Sequence, residues 1–212
     1  MTDKLTIMLN LQNTMNLKVH PQWQTQGFKW TRAIMVEGVE ALEHYGWKWW
    51  KKQEPDLAQV RIELVDIWHF ILSHSTERFG GIELAYDHLS QAMAADAPLY
   101  LKEGDPRKSL EILIAAAAVG QIHMPAFFAL MHQMGMSGGD LYKLYVAKNV
   151  LNTFRQDSGY KAGTYIKHWH GREDNVVLAE IMALAPQLTP EELMQRLGVL
   201  YKPVFHSTVV AA

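Results

Sequence analysis

The chain has 212 residues, 49% of them hydrophobic, which is enough for one domain with a substantial core, or for a core with a smaller appended lobe. A formal charge of -2 argues against a nucleic-acid binder that works through a net positive field. The absence of Cys rules out disulfides and thiolate metal sites and fits a reducing compartment.

The start, Met1-Thr2-Asp3-Lys4-Leu5, lacks a basic region followed by an apolar run, so no secretory signal is expected. Leu5, Met8, Leu9, Met15 and Val19 have helical periodicity, and Pro21 closes this first segment. Trp30, Ala33, Ile34, Glu37, Glu40 and Ala41 form one stripe of a second helix, which places both glutamates where core residues would be. Gly46, Trp47 and the Lys51-Lys52 pair lead into a loop broken by Pro55. Asp56 and Gln59 then read as a capping box opening a third helix, which runs to about Phe79 before Gly80-Gly81.

Further helices are expected over Ile82 to Ala94 and over Leu110 to Leu130, the latter interrupted or kinked near Pro125. Its longest apolar stretch, Ile112 to Val119, is far shorter than the ~20 residues of a membrane crossing. Ser137-Gly138-Gly139 reads as a flexible linker before a long helix from about Asp140 to Asp157. The tail carries a helix near Val176 to Leu184 and another opened by Thr189-Pro190-Glu191-Glu192, with Thr as cap, Pro first and Glu closing the box. No alternating strand pattern of useful length, internal repeat or low-complexity tract occurs, so the fold class is all-α, a multi-helix bundle. The expected location is the cytoplasm, with no membrane and no nucleic-acid partner.

Two acidic pairs stand out against this apolar background. Glu37-x-x-Glu40 and Glu63-x-x-Asp66 each put two carboxylates on one helical face, and the second sits in a helix apolar on nearly every side. A buried carboxylate must be neutralised, paired or metal-bound. Two such faces together would make an oxygen-rich cage of the kind hard divalent cations prefer.

Three further constellations bear on chemistry. Lys148, Asn152 and Arg155, spaced four and then three apart, align two cations and an amide on one face, with Tyr160 and Lys161 just beyond. A Lys/Arg stripe is usually the solvated side of a helix, but Mg²⁺ sites are commonly completed by substrate phosphates, which such a face could hold. Gln12 and Asn16 are an i,i+4 amide pair inside the first helix's apolar stripe; they either bond neighbouring helices or read a planar base edge. Trp47, Trp49 and Trp50, with Trp68 and Phe70 on the third helix, either fill the core or stack on a ligand. Asp66-x-x-His69 imitates half of a di-iron motif, but none of the ten histidines supplies the other half.

The run Lys148-Asn149-Val150-Leu151-Asn152-Thr153-Phe154-Arg155-Gln156-Asp157-Ser158-Gly159-Tyr160-Lys161 closely resembles the C-terminal motif of the dimeric all-α dUTP pyrophosphatases, relatives of the MazG-type pyrophosphohydrolases. Their ExxE and ExxD helices are matched by Glu37/Glu40 and Glu63/Asp66. Leu11-Gln12-x-x-Met15-Asn16 looks like their Leu-Gln-x-x-Leu-Asn element, and Trp47-Lys48-Trp49-Trp50-Lys51 is similar to their aromatic-basic segment. The resemblance spans roughly Leu5 to Asp174. No motif aligns between Gly80 and Met136, so a single all-α domain over 1-212 with a variable lobe at about 80-136 is expected.

The resemblance implies a homodimer that hydrolyses dUTP to dUMP and pyrophosphate, with more than one Mg²⁺ held by Glu37, Glu40, Glu63 and Asp66 and Mn²⁺ as a substitute. It implies Glu40 as general base, with Glu37 the alternative. Lys148, Arg155 and Lys161 would neutralise phosphate charge, while Asn152 and Tyr160 position phosphate or deoxyribose. Gln12 and Asn16 would read the base, Phe70 would stack on it, and Trp47 would line the phosphate end. Phage dCTP/dUTP pyrophosphatases are also similar, so dCTP, like dUDP, is an alternative substrate. From a different class, the rival is a non-catalytic helical protein that binds nucleotide or metal. Family members also pair a rigid helical core with a mobile part.

Overall fold

Helical periodicity in the sequence is realised as ten α-helices, one 3₁₀ turn and a two-stranded hairpin among the described residues. The computed structural model describes residues 4–95 and 97–210, the stretch 203–210 as backbone alone. Met1, Thr2 and Asp3, on which the no-leader expectation partly rests, lie outside the described residues. No described helix is long and apolar enough to cross a membrane.

The described chain divides after Tyr145 into two compact units. In the first, α1 (Lys4–Val19) buries Leu5, Met8, Leu9 and Met15 and, among them, Gln12 and Asn16. A 3₁₀ turn (Trp23–Thr25) leads to α2 (Trp30–Tyr45), which buries Ile34, Gly38 and Ala41. Next comes α3 (Leu57–Phe79), capped by the Asp56 carboxylate, which accepts from the Gln59 N–H at 3.1 Å. Most of α3 is buried because α1, α2, α4 (Ile82–Ala94) and α7 (Met124–Gln133) pack around it. Gly38 permits close packing: a Cβ there would stand 2.8 Å from Ile114 Cγ1 on α6 (Pro106–Ala118).

The expected single helix from Leu110 to Leu130 is two, α6 and α7, with a short α5 (Leu99–Lys102) before them. Gly120 turns the chain at φ 80°, and His123 Nδ1 caps α7 by accepting from the Ala126 N–H at 3.1 Å. Pro125 therefore lies in the first turn of a new helix, where its missing N–H costs nothing, and does not kink an old one. Ser137-Gly138-Gly139 is likewise no linker. Both glycines are in the first turn of α8 (Gly138–Asp157), and Ser137 and Asp140 cap it reciprocally, Oγ accepting from the Asp140 N–H at 3.1 Å and Oδ2 from the Ser137 N–H at 2.9 Å.

The second unit begins within α8. It continues through the hairpin β1 (His168–Trp169) and β2 (Arg172–Glu173) into α9 (Asp174–Leu184) and α10 (Pro190–Val210). Trp169 pairs with Arg172 across a two-residue turn, His170-Gly171, both at positive φ as such tight hairpins require. The Thr189/Glu192 box is reciprocal as expected: Thr189 Oγ1 accepts from the Glu192 N–H at 3.2 Å and Glu192 Oε2 from the Thr189 N–H at 2.8 Å. Phe154, Trp169, Leu178, Leu197 and Tyr201 are central to this unit's core.

Candidate active site

Antiparallel packing of α2 on α3 gathers carboxylates. Ligand oxygens of Glu37, Glu63 and Asp66 all lie within 4.8 Å of one another. Glu63 is buried, its side chain 3% exposed, while Glu37 and Asp66 are half-buried. Hard divalent cations choose all-oxygen donor sets of this kind. The donor set therefore fits a divalent metal.

Glu40 departs from the expected stripe. It is exposed and outside the cluster of three, because α2 packs through Ile34, Gly38 and Ala41. His44, which the sequence reading passed over, stands with Nε2 3.6 Å from Glu63 Oε1. Its signal was present: it lies two helical turns beyond Glu37, on the same face.

Gln12 and Asn16 sit in a continuous polar chain. Asn16 Nδ2 donates to Ser73 Oγ at 2.9 Å, and Gln12 Nε2 donates to Asn16 Oδ1 at 3.0 Å. Gln12 Oε1 in turn lies 2.6 Å from His69 Nδ1 and 3.0 Å from the Tyr145 hydroxyl. Ser73 and Tyr145 were not singled out in the sequence; both are fully buried. The His69 ring stacks on Tyr145 with centroids 4.2 Å apart.

The aromatics divide by environment. Trp68 is fully buried and stacks on Phe127, so it belongs to the core. Phe70 is half-buried and faces Trp30 at 6.4 Å, and Trp30 Nε1 donates to Glu77. A cavity of about 290 Å³ opens beside Trp30, lined also by Phe28, His74 and Glu77. Burial pushes the His74 pKa below its ordinary value despite the nearby Glu77 charge. Trp47, Trp49 and Trp50 form an exposed edge-to-face ladder after α2, Trp49 being 89% exposed. Trp47 Nε1 and Lys48 Nζ both bond Glu43 at 2.7 Å, which holds that carboxyl below its usual pKa.

In the second unit, the Lys148 face is not a solvated one. Lys148 is 1% exposed and donates to Asn175 Oδ1 at 2.5 Å. Arg155 grips Asp174 with Nε and one terminal nitrogen, at 2.8 and 2.7 Å, and reaches Asn152 Oδ1 at 3.2 Å. Tyr165 donates to Asp174 Oδ2 at 2.6 Å. Burial pushes the Asp174 pKa up, but Arg155 and Tyr165 outweigh it and hold the group below its ordinary value. Burial, then the Asp174 charge, push the Tyr165 pKa well above normal. Tyr160 and Lys161 are exposed, with Arg155 6.0 Å from the Tyr160 ring centre. Asn149 is buried, and its Nδ2 has no hydrogen-bond partner among the described residues. No spacing rule could have found Asp174 and Asn175, which follow Arg155 by about twenty residues, across a hairpin.

No curated protein matches the chain. A profile of the dUTPase family matches residues 4–160, which takes in α1 through α8, both acidic pairs and the motif from Lys148 to Tyr160. Family enzymes are nucleotide pyrophosphohydrolases that use divalent metals, in agreement with the clustered carboxylates. With three quarters of its length matched and an all-α fold, the chain belongs to the all-α dimeric dUTPase family and is an enzyme of the dUTP diphosphatase class.

Proposed function

We propose that this enzyme hydrolyses dUTP to dUMP and pyrophosphate with Mg²⁺, limiting the uracil available for incorporation into DNA. The observation that carries the reading is the convergence of Glu37, Glu63 and Asp66 within 4.8 Å, one of them buried, in a chain of this family. When bound, divalent cations there supply charge neutralisation for a triphosphate and its transition state.

The remaining roles fall to the chain's own groups. Glu63 fixes the inner wall, and Glu37 and Asp66 complete the donor set, with Glu40 as a fourth carboxylate nearer solvent. Water attacks one of the phosphorus atoms flanking the α–β bridging oxygen, the bond to that oxygen breaks, and Glu40 takes the water's proton, with Glu37 the alternative base. Lys148, Arg155 and Lys161 offset phosphate charge, Asn152 and Tyr160 position phosphate or deoxyribose, and Trp47 lines the phosphate end. Gln12 and Asn16 read the base and Phe70 stacks on it. These assignments follow the family motif residue by residue. The working form is a homodimer in the cytoplasm, and exposed Val36 and Val39 on α2 and Leu84 on α4 offer apolar surface for a second copy.

Calorimetric titration with Mg²⁺ and Mn²⁺ tests the metal assignment. Wild-type protein should bind, and Glu63→Gln should lose most of the heat; equal binding by the two would remove the cluster from the mechanism.

A further inference from the structure

The chain Ser73–Asn16–Gln12–His69/Tyr145 has a direction. Ser73 has one proton, and its Oγ lies 3.0 Å from the His69 carbonyl, to which it donates. Ser73 must then accept from Asn16, so Asn16 turns its Nδ2 toward Ser73 and its carbonyl toward Gln12. Gln12 must offer Nε2 to that carbonyl, which leaves its Oε1 facing Tyr145 and His69 Nδ1, both then donors. With Ser73 donating to His69, both amides are oriented in this one sense.

The opposite sense is also complete. The Tyr145 hydroxyl lies 2.9 Å from the Met8 carbonyl, and if it donates there its oxygen accepts from Gln12. Both amides then flip, and Ser73 donates to Asn16. The two senses differ in what the amides have left over. In the first, Oε1 of Gln12 is saturated by two donors, and the pair retains one N–H on each amide and one lone pair on Asn16. In the second, the Gln12 N–H groups are consumed, and the pair retains a lone pair on each amide and one N–H on Asn16.

That exchange corresponds to the difference between uracil and cytosine. Uracil presents an acceptor at position 4 beside a ring N–H donor, whereas cytosine presents an amino donor beside a ring acceptor. We propose that Ser73 and Tyr145 are specificity-positioning residues: by fixing the sense of the amide chain they set Gln12 and Asn16 to favour uracil over cytosine. This rests on the proposed reading of the base by Gln12 and Asn16. Each hydroxyl would act through the amide it bonds, Ser73 through Asn16 and Tyr145 through Gln12.

The test is the ratio of kcat/KM for dUTP to that for dCTP, which does not change when a variant merely lowers the fraction of folded enzyme. Ser73→Ala and Tyr145→Phe should each lower the ratio by about tenfold, the worth of one neutral hydrogen bond. Gln12→Ala and Asn16→Ala should raise KM for both nucleotides. An unchanged ratio in Ser73→Ala and Tyr145→Phe, with KM raised in the two amide variants, overturns the positioning role and leaves base reading intact. Unchanged KM and ratio in Gln12→Ala and Asn16→Ala would overturn base reading itself, and the chain would then serve only to tie α1 to α3 and α8.

Discussion

A carboxylate's burial decides what its removal does. Glu63 is almost fully buried within the acidic cluster, and Glu63→Gln keeps its shape while removing its charge. What it should abolish is the gain from added Mg²⁺, about 2.7 kcal/mol at a hundredfold excess over Kd, read as the Tm difference with and without the ion. Glu40 is exposed, and Glu40→Ala should keep stability within about 0.5 kcal/mol of wild type while turnover falls by roughly 10²- to 10⁴-fold. Turnover near wild type would move the base role to Glu37. Asp174 differs from both. Its folded pKa lies below the ordinary 3.8, so the stability it contributes is present above that value and is lost as pH falls through the lower folded one. Acid unfolding below about pH 4 should therefore be steeper in wild type than in Asp174→Asn. Arg155→Ala removes the ion-pair partner of a buried Asp174 and leaves it the Tyr165 hydrogen bond, and should destabilise the second unit by about 3 kcal/mol in denaturant melts, whatever it also does to KM.

At the scale of elements, close approach of α2 to its neighbours sets the geometry of the acidic cluster. Gly38 lies between Glu37 and Glu40, and a larger side chain would collide with Ile114 on α6. Gly38→Val should cost about 1–3 kcal/mol from overpacking, measured by urea melts, and should weaken Mg²⁺ binding as Glu37 is displaced. Gly159 is required for two reasons: its φ is 93°, and a Cβ would collide with Thr164 Oγ1. Boundaries of these elements were legible where a local signal sets them. Asp56, Thr189 and the apolar stripes gave α3, the start of α10, and α4 to within a residue or so, because caps and periodicity act over a single turn. Pro125 and the two glycines after Ser137 misled, because both residue types suit a helix's first turn as well as its interruption. Which face of a helix meets which neighbour was not legible. Glu40 shares a stripe with Glu37 on paper, yet only packing against α3 and α6 decides that Glu37 turns inward and Glu40 outward.

For the whole molecule, the class of enzyme was readable from one run of residues. Lys148 to Lys161 combines cations, amides and a turn at fixed spacing, and the family profile covers this run to Tyr160. The partners that hold those cations were not readable, since Asp174 and Asn175 reach Arg155 and Lys148 only through the hairpin. As a homodimer, the protein should scatter light with twice the 24.2 kDa mass of one chain at micromolar concentration; a monomeric mass in active samples would refute that assembly. The central claim is metal-dependent hydrolysis of dUTP by the carboxylates of α2 and α3. Pyrophosphate release from dUTP, dCTP, dTTP and UTP, run in parallel with Mg²⁺ and with EDTA, tests it most directly. The account predicts turnover with Mg²⁺ that is fastest on dUTP and abolished by EDTA. Turnover of none of the four, or dUTP turnover that survives EDTA, would contradict it.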